Sequence, residues 1–280
     1  MINIYIILTA SANLLVGMAN LFSLGQAAFY GIGAYITAFA LIYFGLPILP
    51  AVLMAMVVTA LLSLLIAYST LRLKGDYFVL ATLGFQIIIY CVLYNWIEVT
   101  KGPYGIPGIP APKLLGFFPV SGIIPFFILS TIFVIITLFI FHKLIKSPFG
   151  RALKGLRDDE TSMLALGRNV SKLKMQAFII SSAFSAVSGF IYASYITYID
   201  PTSFNLDEAI FILSAVLIGG TGNLKGPVIG AVFVVVLPEL LRFVGLPDSV
   251  AANLRLIIYG LFLIVLMRFR PQGLLGEYKF

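Results

Sequence analysis

The sequence predicts an all-α integral membrane protein, a polytopic bundle of about eight to ten transmembrane helices, some broken or re-entrant, with a short cytoplasmic helix between spans. Three observations carry that prediction. Of 280 residues, 61% are apolar and only 10% charged, whereas a soluble domain is roughly a quarter charged and about half apolar. Apolar runs near bilayer length, about 20 residues each, recur along the whole chain. Eight of the eighteen Lys and Arg residues gather in one loop, as they do in cytoplasmic loops of membrane proteins. The length then leaves room for one transmembrane domain, 1–280, and none for a separate soluble catalytic domain.

The apolar runs fall at 2–22, 26–44, 49–70, 77–97, 123–142, 175–199, 208–223, 227–244 and 252–268. The first two are separated only by Ser23-Leu24-Gly25-Gln26, and the run at 208–223 ends in Gly219-Gly220-Thr221-Gly222. These elements read as broken or re-entrant rather than full crossings, a geometry tolerated where irregular backbone lines a cavity or packs on protein. Met1 to Asn13 lacks the positive region and small-residue cleavage site of a secretory signal, so this segment is expected to stay.

Orientation follows from the cations. Lys143, Lys146, Arg151, Lys154, Arg157, Arg168, Lys172 and Lys174 mark 143–174 as a cytoplasmic loop. Counting crossings outward puts Arg72, Lys74, Lys225, Arg268, Arg270 and Lys279 on the same side, leaving Lys101, Lys113, Arg242 and Arg255 opposite. The expected C-terminus is cytoplasmic, and 100–122, rich in Gly and Pro, is the external loop. The formal charge of +7, which in a soluble protein would point to nucleic acid, reads here as attraction to anionic membrane lipid, with no nucleic-acid partner. Cys91 is the one cysteine and His142 the one histidine, which excludes disulfide scaffolds, zinc sites and His clusters; no metal site is expected. Cys91 reads as a small buried apolar residue, and Trp96 as an interfacial anchor at the outer side.

The cytoplasmic loop carries helix signals. Ser147-Pro148 is an N-cap followed by proline at the first helical position, and Phe149, Leu153 and Leu156 share one face of a helix running to about Arg157. Asp158 or Asp159 can cap a second helix, Glu160 suits its first turn, and Gly167 is a natural stop. A helix of about two turns is marginal alone in water, so it must dock on its own bundle, on headgroups or on another protein.

Gly150-Arg-Ala-Leu-Lys-Gly-Leu-Arg-Asp-Asp-Glu-Thr-Ser-Met-Leu-Ala-Leu-Gly167, followed by Asn169-Val170 and Lys174, resembles the coupling loop of branched-chain amino acid ABC-transporter permeases. Leu21-Phe-Ser-Leu-Gly-Gln-Ala-Ala-Phe-Tyr-Gly-Ile-Gly-Ala-Tyr35 is similar to that family's first Gly-rich element. Leu71 to Tyr77, Thr82-Leu-Gly84, Gly105 to Pro110, Asp200-Pro201, Ser214 to Gly230 and Pro271 to Leu274 follow in the family's order, closest to the M-type member of the leucine/isoleucine/valine permease pair. The chain departs from the family at Gly84-Phe85-Gln86, where an acidic residue often follows the turn, and at Glu160-Thr161-Ser162, a reduced form of the permease Glu-Ala-Ala motif. The resemblance implies ATPase contact through Asp158, Asp159, Glu160, Leu164 and Gly167. It also implies two ATPase subunits that bind ATP and Mg, a homologous second permease, and an extracytoplasmic substrate-binding protein.

Independently of that resemblance, no phosphate-binding loop is present: Gly219-Gly-Thr-Gly-Asn-Leu-Lys-Gly226 places Leu224 where the second glycine belongs. ATP-driven transport would therefore need a separate ATPase. Gly25, Gly31, Gly33, Gly219, Gly220, Gly222, Gly226 and Gly230 read as close-packing positions, as unwound points in corresponding places of two halves, or as both. Asn13, Gln26, Thr82, Gln86 and Ser214 are polar residues in apolar spans, either interhelical hydrogen-bonders or candidates for a translocation path. No acidic or basic residue sits clearly mid-span, which argues against ion-coupled transport. The function read from all this is the permease subunit of an ABC importer for branched-chain amino acids, not itself an enzyme. A urea- or amide-importing permease of the same fold, an ATP-independent channel or carrier, and a membrane enzyme are the alternatives.

Overall fold

Within hydrocarbon each backbone amide must find its partner inside its own segment, so the apolar runs become helices. The computed structural model describes residues 1–73, 75–114, 118–120, 122–242, 254, 257–258, 260–261, 264–265, 268 and 272–276. In order these are α1 (Ile2–Ala19), α2 (Gln26–Ile42), α3 (Ile48–Thr70), α4 (Asp76–Asn95), the single turn α5 (Ile97–Thr100), α6 (Ile123–Lys146), α7 (Pro148–Asp158), α8 (Glu160–Ala165), α9 (Val170–Ile196), α10 (Leu206–Gly219) and α11 (Lys225–Arg242). Between α5 and α6 lie the short strands β1 (Ile106–Pro107), β2 (Lys113–Leu114) and β3 (Phe118–Pro119), and after α9 comes β4 (Tyr198–Ile199). β1 pairs antiparallel with β4, Ile106 opposite Ile199, which ties the long 100–122 loop to the end of α9.

Among the described residues, six helical stretches are long and apolar enough to cross a membrane: α1, α3, α4, α6, α9 and Pro201–Gly219, which contains α10. The shorter α2 and Lys225–Leu237 of α11 are apolar helices too. The helices match the expected runs closely. Where α9 starts earlier than expected, at Val170, the reason is its cap: the Asn169 side chain accepts from the Lys172 amide at 2.9 Å, and the polar first turn hides the start from hydropathy. The expected last span, 252–268, and the C-terminal cations fall largely outside the described residues.

The bundle is ordered by burial. In an apolar 18-residue stretch of each, 83% and 72% of the residues of α1 and α9 are buried, against 22% in α4 and in α6, so the first pair lies at the centre and the second at the perimeter. α9 packs along α1, α2 and α3. Perimeter faces carry leucine, isoleucine and phenylalanine outward, as lipid contact requires. Cys91 belongs to that perimeter: it is exposed on α4, which corrects the expectation of a buried cysteine. An apolar position on a spanning helix can face lipid as readily as protein, so apolar character alone could not place it.

Candidate functional site

The loop between α6 and α9 folds as two docked helices. Pro148 opens α7, and the Ser147 hydroxyl accepts from the Gly150 amide at 3.3 Å. Leu153 and Leu156 are buried against the bundle, about 1.5–3 kcal/mol each if fully removed from water. Asp159 then caps α8, accepting from the Thr161 amide at 2.8 Å and from the Ser162 hydroxyl. The Ser162 hydroxyl first, then the amides of Thr161 and Ser162, hold the Asp159 carboxyl below its ordinary value. Gly167 ends the unit at φ 72°, a left-handed conformation that favours glycine.

Two cations lock this unit to the spanning helices. Lys174 of α9 pairs with Glu160 at 2.8 Å. Arg157 donates from Nη1 to the Gly17 carbonyl of α1 at 3.1 Å, while Nη2 lies 3.0 Å from Asp158. Because the last four carbonyls of a helix lack intrahelical partners, the end of α1 is a natural anchor for a guanidinium. Met163 is buried beside Gly155 of α7, whereas Leu164 of α8 and Leu166 just after it are 55% and 76% exposed. Behind the two helices is a cavity of about 330 Å³ lined by Asn20, Leu73, Asp158, Asp159, Glu160 and Lys174 among others. The unit is therefore tied to α1 and α9 and keeps two leucines outward.

The helix breaks lie beside this unit. α1 ends at Asn20, φ 53°, and α10 ends at Gly220, φ 99°, followed by Gly222 at φ 95°. Each break is followed by a returning helix. The amides of Leu274 and Leu275 donate to the terminal carbonyls of Ile218 and Gly219, both at 3.0 Å, so the 272–276 segment satisfies the end of α10. Asn13 Nδ2 donates to the Asn223 carbonyl at 2.8 Å, joining α1 to the second break.

Gln26, Thr82 and Gln86 are engaged with other elements. Gln26 Nε2 donates to Ser181 at 2.9 Å, its Oε1 accepts from Ser185 at 2.6 Å, and Ser181 donates to the Ser11 carbonyl at 2.6 Å. Thr82 accepts from the Leu24 amide at 3.1 Å, fixing the first break to α4. Gln86 Nε2 donates to the Phe204 carbonyl at 2.8 Å. Ser214 is buried on α10. Asn13 Oδ1 and Gln86 Oε1 are buried without a hydrogen-bond partner among the described residues.

The glycines divide by geometry. A Cβ on Gly33 would lie 2.4 Å from Ala186 Cα, and one on Gly31 2.9 Å from the Phe204 ring. Gly219, Gly226 and Gly230 interlock, since a Cβ on Gly219 would stand 2.0 Å from the Gly226 carbonyl oxygen and one on Gly230 1.9 Å from that of Ala215. Gly25 is different: φ is −83° and the nearest atom to a Cβ would be 3.6 Å away, so neither space nor backbone demands glycine there.

Several partners were not singled out from sequence. Ser181 and Ser185 carry a usable signal, polar residues four apart on an apolar helix. Arg157 counted only as a basic residue, because its partner is a backbone carbonyl 140 residues away. Glu208 meets the Tyr5 hydroxyl at 2.8 Å, a contact between the first turns of α10 and α1. Among the described residues, no group of three or more His, Cys, Asp or Glu side chains could hold a metal.

The family model described as "Branched-chain amino acid transport system / permease component" matches residues 1–267. The chain belongs to that family. It is 34% identical to the "High-affinity branched-chain amino acid transport system permease protein LivM" of Salmonella typhimurium, over 97% of this chain and 68% of the relative. It is 28% identical to the "Probable branched-chain amino acid transport permease protein LivM" of Methanocaldococcus jannaschii, over 81% of this chain and 68% of the relative. A more distant likeness, 27% over 81% of this chain and 75% of the relative, is to the "Guanosine ABC transporter permease protein NupQ" of Bacillus subtilis. No solved structure matches. As a branched-chain amino acid permease-family member with six bilayer-length apolar helices among its described residues, the chain is a multi-pass membrane protein.

Proposed function

We propose that this chain is one of two permease subunits of an ATP-driven importer of branched-chain amino acids, with α7 and α8 receiving the stroke of separate ATPase subunits. The observation that carries the reading is the double anchor of the loop, Arg157 on Gly17 and Glu160 on Lys174. Coupling between distant sites needs a rigid element that both can bias, and these contacts join the loop to the two central helices. On this reading the α7–α8 end faces the cytoplasm, in keeping with its cations, and the segment 272–276 lies on that side. The substrate class is supported by the family description and by the printed names of the nearer relatives.

Asp158, Asp159, Glu160, Leu164 and Gly167 form or flank the ATPase contact, with Leu164 and Leu166 supplying its exposed apolar surface. Of the polar span residues, Asn13 and Gln86 are the candidates to meet the ammonium group of a passing amino acid, because each keeps a buried acceptor oxygen. ATP and Mg belong to the two ATPase subunits, and substrate selection to an extracytoplasmic binding protein docking at the β1–β4 end.

Purification of the tagged chain from mild detergent tests the assembly. Recovery of an ATPase pair and a second permease, with ATPase activity in the eluate, is expected. Recovery of the chain alone, conducting solute without ATP, would replace this reading with a channel or carrier.

A further inference from the structure

We propose that the chain holds one anionic phospholipid at the α7–α8 end, its headgroup in a basic pocket and an acyl chain along α11. The pocket, about 810 Å³, lies between the end of α6, α7, the second helix break and the 274–276 segment. Lys146, Arg151, Lys154 and Lys225 line it, with His142 beside them. The ion pairs among the described residues are Arg157 with Asp158 and Lys174 with Glu160, so no carboxylate among them neutralises the four pocket cations. Like charges gathered without counter-ions repel one another unless an anion sits between them.

The position selects the kind of anion. His142 and Lys143 are where α6 passes from an apolar run to a basic end, the level at which headgroups lie. The pocket wall also includes Leu274, and that same leucine lines a second, apolar hollow of about 330 Å³ formed with Ile229, Val232, Phe233, Val236 and Leu237. These positions recur at three and four residues on α11, one face of a helix leading away from the cations. A free phosphate would use the cations and leave the apolar groove without purpose. A phospholipid uses both, with a charged headgroup in a basic interfacial pocket and hydrocarbon against an apolar face. This inference does not depend on the transported solute or on the ATPase partnership.

Native mass spectrometry of the full chain in non-ionic detergent tests it. The probes are palmitoyl-oleoyl phosphatidylglycerol, the phosphatidylcholine with the same chains, and inorganic phosphate. One phosphatidylglycerol should be retained roughly tenfold or more tightly than phosphatidylcholine, and phosphate should not displace it. K146Q/K154Q/K225Q should abolish the preference, and K146R/K154R/K225R should keep it, separating charge from packing. V232W, which fills the groove without touching a cation, should weaken retention of phosphatidylglycerol even if the glutamine variant fails to fold. Equal retention of the two lipids, a preference surviving the glutamine changes, or retention unaffected by V232W overturns the proposal. Competition by phosphate as strong as that by lipid overturns it in favour of a free-anion site, and displacement of the lipid by bound ATPase subunits in favour of an acidic protein surface.

Discussion

Arg157 donates to the backbone carbonyl of Gly17 at 3.1 Å, joining a loop helix to the end of the most buried spanning helix. One turn earlier on α1, Asn13 holds the Asn223 carbonyl, and a Cβ on Gly17 would stand 2.7 Å from the Gly222 amide nitrogen. A displacement of α7 therefore reaches α1 and, through it, the break between α10 and α11. Arg157→Ala should leave the bundle folded and the assembled complex able to hydrolyse ATP, while solute moved per ATP falls several-fold. Parallel uptake and phosphate-release assays in proteoliposomes check this. An unchanged ratio would remove Arg157 from the coupling route.

The pair Glu160–Lys174 supports a charge-swap prediction. Lys174 is nearly buried and Glu160 about one-third exposed, so Glu160→Lys sets two ammonium groups together and should loosen α8 from α9. The double variant Glu160→Lys/Lys174→Glu should recover much of the lost transport. Failure of the swap to rescue, with expression intact, would show that Glu160 acts on the ATPase directly rather than through α9.

Asp159 gives a pH dependence with a definite sign. Its folded carboxyl lies below the ordinary value because Ser162 and the α8 amides bond to the ionised form. Such a group contributes stability above its unfolded value, about pH 4, and the contribution fades as pH falls through the lower folded value. Amide-exchange protection at Thr161 should therefore drop on acidification below about pH 4 in the wild type, and should show no such step in Asp159→Asn. A step of the same size in both would contradict the cap.

Two glycines on spanning helices should respond oppositely to alanine. Gly33→Ala forces a Cβ against Ala186 Cα at 2.4 Å and should cost about 1–3 kcal/mol through overpacking. Gly84→Ala has nothing within 4 Å of its Cβ and should be neutral or stabilising by roughly 0.5–1 kcal/mol. Thermal unfolding of the two variants in detergent distinguishes them.

Gln26 is a hinge of the polar core, since it bonds to both Ser181 and Ser185. Gln26→Leu takes one partner from each hydroxyl, while Ser181 keeps the Ser11 carbonyl and Ser185 the Ser181 carbonyl, and should destabilise by about 0.5–1.5 kcal/mol for each lost bond. The triple Gln26→Leu/Ser181→Ala/Ser185→Ala should be less stable than the single variant, because it also takes the Ser181 donor from the Ser11 carbonyl and the Ser185 hydroxyl from that of Ser11. A triple variant as stable as the single one, by thermal unfolding in detergent, would show that the serine bonds to Ser11 carry no stability of their own.

Local signals made much of the fold legible. Ser147-Pro148 and Asp159 are caps whose oxygen–amide bonds the structure contains, and the helix limits follow from hydropathy with small shifts at polar first turns. What sequence could not supply was pairing between distant elements. Gln26 in α2 finds serines in α9, and Arg157 finds a carbonyl that every residue possesses, so neither partner leaves a mark in composition. Cys91 shows a related ambiguity, because hydrocarbon outside and protein inside select the same apolar side chains. For Gly25 the sequence leaves close packing and an unwound point both open, and in the structure only Gly31 and Gly33 of that stretch meet another element closely.

The most direct measurement is leucine uptake into proteoliposomes containing this chain, its second permease, the ATPase pair and the binding protein, with the chain alone as the parallel sample. Accumulation of leucine only in the complete assembly, and only with ATP inside the compartment that the ATPases face, is the predicted result. Leucine flux through the chain alone without ATP would contradict the account, as would a complete assembly that hydrolyses ATP and moves no branched-chain amino acid.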